Sequence, residues 1–453
     1  MPAKGPVSID GNRPLAMTAF EKVMYNQWNR CTEVVTALSQ YGEEEMDTDM
    51  LTQRFAIAGT HGAPTRKYGD SLPSEFANCD DAPEHAFSEV DLLWQVAPTR
   101  IRYDMLQLKR GFMGDPVQFA LDNLVRDVRF EAERNTCSGI GDDVIFDLNG
   151  PGVDNGDGTF TYPVINYGGL PGQLLGQLMK ALLLEGTPIQ AASAVGAAPG
   201  NASPVYILSV VDTPGSETIT TDGDLAPGGA GPTAAGWVVY RGRQDAAGVQ
   251  GANDAPRGLP YIVSDFTDFA LFQEVTALEA PRFEAQVIRS PGAPLAIDEK
   301  LLNRMLSLGE VNIPCDPDGK GPVMNGFFLF HTFNVNAFAL SLTQDRRFMT
   351  PPLRNAGAAG YQKKYLAFCD IPVVGGHMAQ RTSGYYLLAD RLFWRKNGPM
   401  WGQFMAIGGQ TRFSIPCSPD QEVRWVRCGQ LAAHGRAGMV RADNLEEARP
   451  EVA

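Results

Sequence analysis

The densest hydrophobic patterning lies between residues 322 and 380. Gly326-Phe327-Phe328-Leu329-Phe330-His331-Thr332 is an almost continuous apolar run, which predicts a strand covered on both faces. Asn334 is placed to cap a following helix, because its side-chain oxygen can accept an orphan N–H of the first turn. Val335, Phe338, Ala339 and Leu342 then recur at i, i+3, i+4 and i+7, a single stripe facing the strand. Thr350-Pro351-Pro352 ends that helix, since proline removes a donor and clashes with the preceding turn. Residues 364–368 and 372–374 predict two short strands around Asp370, closed by Gly375-Gly376. Arg346 and Arg347 stand at the helix end without a constellation that suggests chemistry, so the stretch reads as scaffold.

The remaining elements follow from the same rhythms. Phe20, Val23, Met24, Trp28, Cys31 and Val35 fall near helical spacing within residues 16–38, an amphipathic arm. It can pack on its own core or on a neighbouring subunit, and the sequence leaves both open. Residues 42–49 are acidic, 54–69 are rich in Gly, Pro, Thr and His, and 90–103 are strand-like. That pattern fits an extended, polar, two-stranded excursion, marginal by itself and in want of a partner to lie on. The clearest helix opens at Asp115, with Pro116 at its first position and Gln118 completing a capping box. Val117, Ala120, Leu121, Leu124, Val128 and Ala132 form its buried stripe, with Asp122–Arg126 and Arg129–Glu133 pairing at i, i+4 on the other side. Residues 138–141 end it.

Residues 149–257 change character: Gly/Asp-rich turns, an Ala-rich piece near 191–202, and strand candidates at 205–211 and 237–240. They read as an inserted, β-containing, loop-rich region. Further on, Ile297 before an Asp298 N-cap, with Leu302 beyond, is a hydrophobic staple. Leu301, Leu302, Met305 and Leu308 complete a helix stopping at Gly309. Residues 404–413 and 423–426 are further strands, and the tail from Ala442 reads as acidic and mobile.

Composition adds limits. With 453 residues and 44% hydrophobic content the chain can bury a sizeable core, as two or three domains. A net charge of −14 argues against a phosphate-gripping surface as its main business. No basic-then-apolar start suggests a signal peptide, and the apolar window 174–198 is broken by Lys180, Glu185 and Pro188, so a soluble chain is expected. The seven cysteines, at 31, 79, 137, 315, 369, 417 and 428, form no CxxC pair and read as buried reduced thiols.

No motif carries chemistry. His61, His85, His331, His377 and His434 have no metal-ligand spacing, and neither a GxSxG elbow nor a P-loop occurs. Pro227–Gly231 is glycine-rich but lacks the lysine and helix of a phosphate cradle. Asp316–Gly321 begins like a calcium loop, but its fifth position is Lys320 and its twelfth Phe327. Asp154-Asn155-Gly156-Asp157-Gly158 fits a tight turn better than a metal site. The expectation is a non-enzyme with no catalytic, cofactor-binding or metal residues and no cofactor.

The order of parts carries a resemblance. An N-terminal arm, a two-stranded excursion, a long helix, and a later strand–helix–hairpin block resemble the major capsid proteins of tailed double-stranded-DNA phages, the Hong Kong 97-type fold. DNLVRDVRFEAERNTCSG at 122–139 looks like the spine helix and its exit. DEKLLNRMLSLG at 298–309, NGFFLFHTFNVNAFALSLTQDRRF and YLAFCDIPVVGGHMAQ show a similar later succession. The resemblance covers residues 85–140 and 282–430 and leaves 149–260 unmatched.

It implies an α+β chain with an N-terminal arm (1–46), an E-loop hairpin (47–110) and a P-domain with its spine helix (111–148). After these come a β-containing insertion (149–260), the remaining P-domain and an A-domain (261–441), and an acidic tail (442–453). It further implies self-assembly as pentamers and hexamers into an icosahedral virion shell, made in the host cytoplasm, around double-stranded DNA bound without sequence specificity. Portal, scaffolding and decoration proteins are the implied partners, and no membrane. The competing readings are another virion structural protein, such as a decoration or tail component, and a carbohydrate-acting hydrolase using carboxylates of 149–260.

Overall fold

The structure, a computed structural model, describes residues 34–35, 38, 43–45, 50–58, 84–91, 94–101, 116–140, 144–166, 188–193, 204–211, 218–225, 237–241, 256–273, 275–277, 284–290, 292–312, 326–345, 366–369, 371–396, 398–399, 402–406, 410–415 and 418–446. Most of the arm, the Asp115 cap, the 174–187 window, Pro227–Gly231, Asp316–Gly321, Arg346, Arg347 and the proline stop at 351–352 lie outside the described residues.

Strands β1 (Glu43–Glu45), β2 (Met50–Ala58), β3 (Glu84–Asp91) and β4 (Trp94–Ile101) precede the long helix α1 (Pro116–Ser138). β5 (Val144–Leu148), β6 (Val153–Asp154), β7 (Phe160–Asn166), β8 (Pro188–Ala192), β9 (Val205–Val211), β10 (Thr218–Thr221) and β11 (Trp237–Arg241) follow. Next come α2 (Leu259–Ile262), β12 (Leu271–Phe272), β13 (Val275–Thr276), β14 (Gln286–Ile288), α3 (Glu299–Asn312), β15 (Gly326–His331) and α4 (Thr332–Asp345). The last group is β16 (Leu366–Phe368), β17 (Ile371–Gly376), β18 (Ser383–Leu388), β19 (Leu392–Lys396), β20 (Gln403–Phe404), β21 (Phe413–Ser414), β22 (Gln421–Ala433) and β23 (Val440–Asp443).

The central sheet runs β14-β23-β18-β15-β17-β16. β15 lies antiparallel to β18 and parallel to β17, so α4 makes the crossover between two parallel neighbours. Phe327 through His331 are all buried, as a strand covered on both faces requires. The rings dictate where glycine must stand. A Cβ on Gly326 would sit 2.6 Å from the Tyr386 hydroxyl, and one on Gly309 would sit 2.8 Å from the Tyr386 ring. Gly309 therefore does not stop α3, which continues to Asn312; it lets the helix lie on Tyr386. At the other end the expected cap holds: the Leu301 amide donates to Asp298 Oδ1 at 2.8 Å.

Other expectations shift by tertiary contact. α4 starts at Thr332, two residues before the expected cap, because β15 runs straight into it. His331 Nδ1 accepts the Phe333 amide at 3.1 Å, while Asn334 is buried and donates to the Arg381 carbonyl at 2.6 Å. β16 and β17 form the expected antiparallel pair, but Gly375 and Gly376 continue β17 instead of closing it. Ala442, expected in a mobile tail, sits inside β23, paired on both sides and fully buried.

Seven strands between α1 and α2 form a second sheet in the order β10-β9-β8-β11-β5-β7-β6. β10 also pairs with β7, which closes six antiparallel strands into a barrel with β6 extending one hairpin. Inward positions alternate along each strand: Phe146 and Leu148, Tyr162 and Val164, Ile189 and Ala191, Ile207, Ile219 and Val239 are all buried. The expected strands at 205–211 and 237–240 are staves of it. The Asp154–Gly158 turn joins β6 to β7, with Gly156 at φ 81° and Gly158 at φ 83°, values open to glycine at no steric cost.

The third sheet is built on the 13-residue β22. β19 pairs with its second half, β20 and β21 line one edge of its first half, and β4 lines the other. β1 adds a parallel edge strand to β19. The strand-like stretch 90–103 therefore divides: residues up to Asp91 belong to the β2–β3 hairpin, and 94–101 join β22. Residues 404–413 hold parts of two short strands, β20 and β21, in place of one.

Candidate assembly elements

The β2–β3 hairpin is a two-stranded sheet of its own, registered from Met50 opposite Asp91 to Ala58 opposite Glu84. Beyond its own pairing β3 approaches β13 and β22. Two strands without a third or a covering helix cannot bury a core.

The barrel is joined to the rest at a neck where its entering and leaving segments meet. Ile140 bridges Arg257, the Gly258 amide donates to the Gly139 carbonyl at 2.8 Å, and the Gly139 amide closes α1 on the Asn135 carbonyl at 2.8 Å. A Cβ on either glycine would overlap backbone carbonyls of the opposite strand or of the last turn of α1. The Arg257 guanidinium covers the Tyr261 ring at 4.6 Å just beyond.

A buried ionic clasp holds the outgoing side of this neck to the central sheet. Arg441 of β23, 2% exposed, donates from Nη1 to the Pro260 and Val263 carbonyls at 3.0 and 3.1 Å. Its Nη2 reaches Asp268 Oδ2 at 2.5 Å and Asp443 Oδ2 at 2.9 Å. Arg289 extends the chain of charges outward, donating to Asp268 at 2.8 Å and Asp265 at 2.5 Å. Burial alone would raise the Asp265 carboxyl, but the Arg289 hydrogen bond and two backbone amides outweigh it and hold it below its usual range. Arg436 lies between the Phe272 and Phe266 rings at 4.0 and 4.7 Å and donates to Ser264 Oγ at 3.0 Å; burial lowers it to about 10. Sequence reading missed this clasp. Its only local trace is Arg441 and Asp443 on one face of a strand, with Asp265 and Asp268 three apart.

At its incoming end the described chain is pinned as well. Val34, Val35 and Leu38 are helical and no more than 1% exposed, part of the main core. Their backbone meets Glu133 of α1: the Val34 amide donates to one carboxylate oxygen at 2.6 Å and the Val35 amide to the other at 2.8 Å. Glu133 is thus 1% exposed, not on the solvent side where the helical spacing placed it.

The residues weighed for chemistry are scattered. His331 is 3% exposed, and burial with the nearby Arg381 and His377 lowers it to about 3, so its imidazole is neutral. His434 is exposed and its ring lies 4.0 Å from that of Phe393. His85 falls in β3, and His61 lies outside the described residues. The carboxylates of Asp154 and Asp157 accept the Gly156 and Thr159 amides at 2.8 and 2.9 Å, as turn residues do. Among the described residues no three His, Cys, Asp or Glu side chains gather as a metal site. Cys137 and Cys428 are buried free thiols, whereas Cys369 is exposed at the β16–β17 turn.

The sequence matches no known protein-family model and no curated protein. Solved structures do match. A chain of the cyanophage A-1(L) capsid asymmetric unit superposes with a TM-score of 0.51 at 9% identity, covering 97% of this chain and 99% of that one. A chain from the capsid of a native GTA particle gives 0.44 at 6% identity over 97% and 100%. The SrpI encapsulin of Synechococcus elongatus gives 0.44 at 8% identity over 99% of both. The α+β fold of this chain is that of the cyanophage A-1(L) capsid chain.

Proposed function

We propose that this chain is a major capsid protein that self-assembles as pentamers and hexamers into an icosahedral shell enclosing a phage double-stranded-DNA genome. The observation that carries the reading is the likeness to a capsid chain over almost the whole length of both molecules. The β2–β3 hairpin supports it, since such a ribbon gains a covering surface only from another chain or from the rest of its own.

In this reading the subunit has the Hong Kong 97-type plan, with an N-terminal arm over 1–46, the E-loop over 47–110 and the spine helix in the P-domain over 111–148. The insertion occupies 149–260 and supplies five of the six barrel strands, the sixth being β5 just before it. The remaining P-domain and the A-domain follow over 261–441, and then a tail over 442–453. Portal, scaffolding and decoration proteins are its partners, the virion capsid its destination and the host cytoplasm its place of assembly. It carries no catalytic activity. A net charge of −14 suits a container that must not grip its packed DNA.

Negative-stain microscopy and sedimentation of the chain, expressed alone and with its neighbouring genes, test the proposal. Closed shells, or pentamers and hexamers, are the expected result. A small monodisperse species under both conditions would overturn it.

A further inference from the structure

We propose that Glu133 is the anchor that fixes where the N-terminal segment leaves the body of the subunit. Both carboxylate oxygens are occupied by consecutive backbone amides from a segment about a hundred residues away in sequence, Val34 at 2.6 Å and Val35 at 2.8 Å. Consecutive free amides are what the first turn of a helix offers, and a carboxylate is the acceptor best suited to them. The contact is shielded from water, because Glu133 is 1% exposed and Val34, Val35 and Leu38 are no more exposed than that. Charge-assisted bonds in such a site are strong.

The opposite wall is shaped for the same plug. Gly376 of β17 faces Val34, and a Cβ there would stand 2.6 Å from Val34 Cγ2. Val34 is thus held between a carboxylate on the long helix and a glycine on the central sheet. The register of β1 on β19, Glu43 opposite Trp394, continues this docking five residues beyond Leu38. In the shell-protein reading, on which this part rests, the anchor fixes the point on the subunit at which the upstream sequence joins it.

Three variants test the anchor on the unassembled chain, by hydrogen exchange at residues 34–38 and by tryptic cleavage after Arg30. Glu133→Gln leaves one acceptor and turns an NH₂ toward the other amide. Exchange of the Val34 and Val35 amides should rise about tenfold, as expected for losing one bond to a charged group. Cleavage after Arg30 should rise with it, while β15 and β18 keep their protection. Glu133→Asp keeps the charge and should restore part of the loss. Gly376→Ala should release the same segment with Glu133 intact. Unchanged exchange at 34 and 35 in Glu133→Gln would overturn the anchor, and so would equal loosening of β15, β18 and the plug. Shell yield is read separately. Released plugs with normal shells would leave the anchor standing and remove the arm from assembly, whereas absent shells from the unmodified chain would count against the capsid reading alone.

Discussion

The barrel and the β2–β3 hairpin are both antiparallel excursions from one body, yet they solve the problem of edges in opposite ways. The barrel pairs β10 with β7, so each of six strands has two neighbours and the inward side chains meet one another. The hairpin has two strands, and among the described residues no third strand pairs with either edge. A closed sheet brings its own core and its own satisfied backbone; an open ribbon must find both elsewhere. The body treats them accordingly. It fastens the barrel by a glycine neck and the Arg441 clasp, while β3 approaches it at β13 and β22.

The largest expected effect breaks the barrel. Phe146 is fully buried at its centre, so Phe146→Ala should cost about 3–5 kcal/mol. Hydrogen exchange should show the loss in β5, β7 and β11, with β15 and β18 unaffected. Loss of protection throughout the chain would mean that barrel and body fold as one cooperative unit.

Acid sharpens the comparison between barrel and body. Burial lowers the neutral His331 of the body to about 3, so the unfolded chain takes up its proton first as pH falls below about 6.5. Stability present above that pH is therefore lost on acidification from 6.5 toward 3, by at most about 1.4 kcal/mol per pH unit. Asp147 on β5 is the reverse case. Burial raises its carboxyl to about 6, so between 6 and 4 the folded barrel binds the proton that the unfolded chain does not, and gains stability. Protection factors, exchange corrected for the intrinsic rate at each pH, should fall around β15 and α4 and rise around β5 from pH 6.5 to 4.5, and His331→Asn should flatten the first trend. Parallel trends in both regions would contradict these environments.

The smallest effect on the free chain belongs to the hairpin. Gln53→Pro puts a residue without an N–H opposite Ser88 in the two-stranded ribbon and should shift the unassembled chain's stability by less than about 0.5 kcal/mol. If the chain builds the proposed shell, closure should nevertheless fail, since the ribbon is then misshapen for a neighbouring copy. A large loss of thermal stability without any defect in closure would place the hairpin in the body's own core.

Much of the fold was legible where the cause is local. The Asp298 cap, the aromatic run of β15, the staves at 205–211 and 237–240 and the Asp-Gly turn each depend on residues within a few positions. Other features escaped because their causes are distant. Gly309 resembles a helix stop until Tyr386 is seen against it, and Asn334 resembles a cap until the Arg381 carbonyl takes its side chain. β22 carries Arg424, Arg427 and Gln430 among apolar residues, so only its neighbours reveal a single 13-residue strand.

The sequence by itself determined the kinds of element, their order and the capsid resemblance, because periodicity, capping and turn chemistry are written over short spans. Only the tertiary structure decided that the middle of the chain closes into a barrel, that Arg441 and Glu133 lie buried, and that Gly376 makes room for Val34. Each of those joins groups tens to more than a hundred residues apart. Charge burial and close approach depend on what the rest of the chain brings alongside, which no local pattern encodes.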